Sequence, residues 1–163
     1  MTTAERPSTL DIIIALLRIV LGILFIFVSI DKIVDPNAFA ASISAYKIVS
    51  GGPALLIGTV LPWIELLCGL GLLFGLFVRG SALLALIMLS LFFVAVLSAL
   101  WRGLDISCGC YTRDPTADRI GWWKIGENVV LIVVSYLVLH RSSLRFTLER
   151  FLQHHSRPMH TGE

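Results

Sequence analysis

Residues 12–30 read IIIALLRIVLGILFIFVSI, nineteen positions with a single charge, Arg18, and a single hydroxyl, Ser29. A helix rises about 1.5 Å per residue, so roughly 20 apolar residues cross the hydrocarbon core of a bilayer. This run therefore sets the fold class, and the rest of the chain repeats it. Pro53–Val78 and Ser81–Leu100 are further apolar stretches of spanning length. Trp122–Leu139 is slightly short and carries Lys124 and Glu127 near its start, but Trp122 and Trp123 supply an interfacial anchor and it reads as a fourth span.

The composition agrees. The chain is 163 residues long, 56% hydrophobic and 15% charged, against about a quarter charged in ordinary globular domains. A soluble fold of this length has too little interior to hide that much apolar surface. The expected fold is all-α: a polytopic membrane protein built as a four-transmembrane-helix bundle. Residues 12–139 form the membrane domain, residues 1–11 a cytoplasmic N-terminal segment, and residues 140–163 a basic C-terminal tail that is partly an interfacial helix. The first span is retained rather than cleaved as an export signal. It is long, contains Arg18, lacks a small-residue cleavage site and runs into Asp31-Lys32.

Four spans place both termini on one side. Basic residues divide evenly: Arg6, Arg79, Arg141, Arg145, Arg150 and Arg157 on the terminal side, and Lys32, Lys47, Arg102, Arg113, Arg119 and Lys124 on the other. The distribution favours cytoplasmic termini, because the tail is a like-charge cluster that anionic lipid attracts, while the other loops interleave Asp31, Asp35, Asp105, Asp114 and Asp118. The expected location is the bacterial inner membrane, with the loop before the fourth span in the periplasm. Between the first two spans, Asp35-Pro36 is a helix start, and Phe39, Ile43 and Tyr46 recur at helical spacing. That predicts an amphipathic interfacial helix ended by Gly51-Gly52-Pro53, the alternative being a polar linker.

Charges inside spans are costly in hydrocarbon unless they face a partner, a cavity or the interface. Arg18 is about two turns into the first span and Glu65 is near the middle of the second. Antiparallel packing of these helices would let them approach as an ion pair, read either as a register-fixing contact or with Glu65 as a proton carrier or ligand for a polar head group. Cys68, one turn after Glu65, reads as a small packing residue, with a third redox thiol as the alternative. Pro62 interrupts the carbonyl ladder near Glu65, and Gly71 and Gly75 place small residues one turn apart, as in close helix packing. Glu127 is either a salt-bridged carboxylate near a helix N-terminus or a partner for a quinone-like head group.

The polar loop before the fourth span holds Cys108-Gly109-Cys110, the chain's closely spaced thiols. Glycine between two cysteines relieves strain in a small disulfide ring, and Arg102 and Arg113 nearby favour thiolate. Redox exchange, a stable structural disulfide, and free or metal-binding thiols all remain open. No metal centre is expected: two cysteines fill half a tetrahedral zinc shell, and His140, His154, His155 and His160 fall on the opposite side. A net charge of +2 without a basic, aromatic-interleaved groove gives no support for nucleic-acid binding. There is no Gly-rich phosphate loop.

Taken in order, Arg18 and Gly22, Lys32 with Asp35-Pro36 and Phe39, Tyr46, Pro62-Trp63-Ile64-Glu65 with Gly69, and Arg102-Gly103 with Cys108-Gly109-Cys110 resemble the DoxX-like membrane proteins, particularly the branch of the methylamine utilisation protein MauE. The resemblance covers residues 12–139. It implies a four-helix inner-membrane protein paired with periplasmic thioredoxin-like or other redox partners, with Glu65 as the characteristic intramembrane carboxylate and Arg18 and Lys32 as the characteristic basic residues. Ser29 stands where many relatives have glycine. The chain has no Cys-x-x-Cys motif, so a partner would supply that chemistry.

The functional expectation is a membrane redox accessory protein. Cys108, Cys110 and Glu65 carry the exchange between a periplasmic thioredoxin-like or disulfide-containing protein and a quinone, and Glu127, Arg18 and Lys32 hold the quinone. No covalently bound cofactor is expected. The competing expectation is a non-enzymatic subunit of a larger membrane complex, its cysteines forming a structural disulfide. Transport of a small solute ranks below both, since Arg18 and Glu65 are too few to line a polar path.

Overall fold

A computed structural model describes residues 9–104, 106 and 121–141. Cys108, Cys110, Arg113 and the predicted tail helix lie outside the described residues. Five helices follow in order: α1 (Thr9–Val34), α2 (Pro36–Ala45), α3 (Gly52–Phe74), α4 (Val78–Trp101) and α5 (Trp122–Arg141). α1, α3, α4 and α5 are each long and apolar enough to cross a membrane, so the chain is a multi-pass membrane protein. Two predicted limits shift. α1 runs on through Asp31 and Lys32 to Val34, and the second span stops at Phe74 rather than Val78. Gly75 ends it at φ 71°, a left-handed conformation that glycine adopts without a Cβ clash, and Val78 opens α4 instead.

The four long helices form a closed ring, with α1 between α3 and α5, and α4 against the other sides of both. Along α1 the buried positions are Ile14, Arg18, Leu21, Gly22, Phe25 and Ser29, one stripe at helical spacing. Its other faces leave Leu16, Val20, Ile23 and Phe27 exposed. Only 17–33% of the most apolar stretch of each span is buried. Such a surface suits lipid rather than water. Trp101, Trp122 and Trp123, 78–90% exposed, cluster at one end of the bundle, where amphipathic rings favour a headgroup layer.

Glycines set the closest helix contact. A Cβ on Gly22 of α1 would lie 2.9 Å from the Gly69 carbonyl oxygen of α3, and a Cβ on Gly69 would lie 2.9 Å from the Gly22 carbonyl oxygen. The backbones therefore cross where neither helix has a side chain. Gly71 and Gly75, the expected packing pair, serve the hairpin into α4: Gly71 packs on Ser81 and Gly75 turns the chain.

The short helix α2 starts where its sequence predicts but ends at Ala45, with Tyr46 as its C-cap, six residues before the Gly51-Gly52-Pro53 expected to end it. Asp35 Oδ1 accepts from Ala38 N at 3.0 Å, a side-chain N-cap, and Pro36 occupies the first turn, where its missing N–H costs no bond. The helix packs on α3 with buried Ala40 against Gly58, whose Cβ, if present, would lie 3.0 Å from that of Ala40.

Candidate functional site

The interior is filled unevenly. In the half of the bundle nearer the described termini, Leu21, Phe25, Cys68, Leu72, Val78, Ala82, Ala85 and Val138 make a continuous core. Towards the other end the helices surround a half-open cavity of about 740 Å³. Leu24 to Lys32 of α1, Ile57 to Glu65 of α3, Met88 to Ser98 of α4 and Lys124 to Leu131 of α5 contribute its walls, and Phe39, Ile43 and Tyr46 close it from the α2 side. The faces sequence reading assigned to an interfacial helix thus line the cavity.

The lining is mostly aliphatic and aromatic, with a few polar groups. Lys32 Nζ donates to both oxygens of Glu65, at 2.7 and 2.9 Å, and both side chains are 12% exposed. The same ammonium lies 4.6 Å from the centroid of the Phe39 ring, within cation–π range. On α5, Lys124 Nζ meets Glu127 Oε2 at 3.3 Å, one helical turn apart. Asn128, the next residue, is buried and donates from Nδ2 to the Leu89 carbonyl at 3.3 Å.

The expected pairing of Arg18 with Glu65 is corrected. Crossing at Gly22 and Gly69 sets an antiparallel register in which Lys32 falls opposite Glu65. Arg18 is fourteen residues earlier on α1, about 21 Å along the axis. It is buried in the other half of the bundle and lines no part of the cavity. Glu65, Lys32 and Glu127 do line it. Glu127 also has the ion pair of its structural reading.

Cys68 is a free, buried thiol bonded to the Ser81 carbonyl at 3.1 Å, which fits a packing role. Arg102 is engaged at the end of α4, with Nε on the Ser98 carbonyl at 3.3 Å and Nη2 on the Tyr46 carbonyl. It thereby ties the end of α2 to α4. Among the described residues no group of three or more His, Cys, Asp or Glu side chains is placed to hold a metal.

Asn128 and the α4 wall were not among the residues expected to form a site. Asn128 had a signal: Lys124, Glu127 and Asn128 share one helix face at i, i+3 and i+4. Phe92, Ala95 and Ser98 had none, because in an apolar helix the inward face is not marked by polarity.

Comparison with known proteins shows the family of the chain, not the site. Residues 10–141 match the family model described as methylamine utilisation protein MauE. The chain is 29% identical over 111 residues to the methylamine utilization protein MauE of Methylophilus methylotrophus, an alignment covering 68% of this chain and 58% of that relative. It thus spans little over half of the relative's length. No solved structure matches.

Proposed function

The chain belongs to the MauE family of methylamine utilisation proteins, and from that premise we propose that it is a membrane redox accessory protein of methylamine utilisation, passing electrons between Cys108/Cys110 and a quinone. The observation that carries this reading is the position of the cavity. It occupies the half of the bundle formed by the C-terminal halves of α1 and α4 and the N-terminal halves of α3 and α5. The cysteine loop runs from the end of α4 to the start of α5, so it is attached to that same half.

The lining suits an amphiphile with a flat polar head and an apolar tail. Apolar walls with a few polar groups are the usual make-up of such sites. Oxidising the Cys108/Cys110 dithiol to a disulfide releases two electrons and two protons, which together convert one quinone to its hydroquinone. Glu65 and Glu127 line the cavity and, among the described residues, are its carboxylates suited to hold or pass those protons. A periplasmic thioredoxin-like or disulfide-containing protein is the partner at the thiol pair. In this reading the termini are cytoplasmic, the cysteine loop is periplasmic and the membrane is the bacterial inner membrane.

The test is thiol labelling in intact cells with a membrane-impermeant reagent, before and after mild reduction, in wild type, Cys108→Ser and Cys110→Ser. Cys68 is buried and bonded within the bundle, so the label reports the loop pair. An outward, reversibly reducible pair whose loss changes the redox state of a partner protein is the expected result. A pair labelled only from inside, or a partner unchanged in both variants, refutes it in favour of a structural subunit.

A further inference from the structure

Asn128 carries chemistry that thiol exchange does not use. It lines the cavity, is 5% exposed, and its Nδ2 donates to the Leu89 carbonyl of α4. A carbonyl only accepts, so this bond fixes which end of the carboxamide is nitrogen. The other end, Oδ1, is buried and, among the described residues, meets no donor. Native folds rarely leave a buried acceptor so, least of all where water is scarce. The cavity's two lysines are engaged elsewhere, Lys32 with Glu65 and Lys124 with Glu127.

We infer that Asn128 Oδ1 is the acceptor for a ligand hydroxyl, so that the cavity binds the hydroquinone in preference to the quinone. The inference rests on the reading of the cavity as a quinone site. A quinone oxygen has lone pairs and no proton, and against Oδ1 it sets acceptor to acceptor. A hydroquinone hydroxyl donates to Oδ1. As the side chains stand, Oδ1 is covered. The side chains over it must change rotamer for the hydroxyl to meet it.

The preference biases electron transfer within the site. The dithiol gives up two electrons and two protons, and both protons end on the two quinone oxygens, one of which then donates to Asn128. Holding the reduced form about tenfold tighter raises the potential of the bound couple by about 30 mV. The bound quinone is then a stronger oxidant than the free one, so transfer within the site leans towards disulfide formation, while the net direction is set by the potentials of the free dithiol and quinone.

The experiment is equilibrium binding to the full chain in lipid nanodiscs, under anaerobic conditions, of three probes: a short-tailed benzoquinone, its hydroquinone, and the di-O-methyl ether of that hydroquinone. One hydrogen bond, with the acceptor otherwise left unsatisfied, corresponds to about a tenfold difference in affinity. Wild type is expected to bind the hydroquinone about tenfold tighter than either the quinone or the ether. Asn128→Leu is expected to lose about tenfold in hydroquinone affinity and less than about threefold for the quinone, whereas a merely structural role would weaken both alike. Equal binding of hydroquinone and ether by wild type overturns the inference while leaving the quinone site standing, and it needs no variant to fold. A variant that keeps the preference overturns it too. Binding of none of the three overturns the quinone site and the inference together.

Discussion

Replacing Gly22 with alanine tests the contact on which the bundle's register depends. The new Cβ would sit 2.9 Å from Gly69 O and 3.0 Å from Leu73 N, against 3.4 Å or more in ordinary contact. Both obstacles are backbone atoms, so no rotamer change relieves them, and α1 and α3 must part by about 0.5 Å, the difference between those distances. Overpacking of this kind costs about 1–3 kcal/mol, and a clash with backbone on both sides falls in the upper half of that range. Alanine returns up to about 1 kcal/mol through its helix propensity. The net expectation is a loss of about 1–3 kcal/mol. Gly69→Ala should match it, because its Cβ would meet Gly22 O at 2.9 Å and Ile26 N at 3.0 Å. The two Cβ atoms press on the same gap, so the double variant should cost little more than one single, a coupling of about 1 kcal/mol. Gly126→Ala on α5, with nothing within 4 Å, is the control and should hold or gain stability. Reversible unfolding in mixed micelles measures all four. Single variants as stable as wild type, or strictly additive losses, would refute the crossing.

Two further outcomes follow from the site and from α2. Lys32→Met leaves the Glu65 carboxylate, 12% exposed, without its cation and should destabilise by about 3–5 kcal/mol, whereas Lys32→Met with Glu65→Leu should return close to wild type, since a matched apolar pair replaces a buried ion pair at little cost. Unfolding midpoints of the two variants decide this, and equal losses would show that the pair is not desolvated. Asp35→Ala removes the cap on the Ala38 amide and should cost about 1 kcal/mol, seen as faster hydrogen exchange in α2 with the long helices unchanged. Unaltered exchange at Ala38 would mean that packing against α3 alone holds the helix.

The α2 segment was legible because its signals are local. Asp35, Pro36, Phe39, Ile43 and Tyr46 each lie within about one turn of the next. The end of the second span was not, because Gly75 is one of several glycines in an apolar run and its left-handed φ belongs to the hairpin with α4. Glu65 stood out as a charge in a span that needs a partner. Choosing that partner between Arg18 and Lys32 required the helix register, and the register comes from two glycines forty-seven residues apart in the chain.

Composition and apolar run length were enough to establish an all-helical membrane protein with four spans, because a bilayer imposes length and polarity on each helix separately. Partners across helices were beyond that reach. In hydrocarbon the outward face is as apolar as the core, so the pattern along one helix does not say which side meets its neighbour. The Gly22–Gly69 crossing, the Lys32–Glu65 pair that follows from it and the cavity beside Asn128 exist only once the helix backbones have packed, because close approach is a property of two surfaces together.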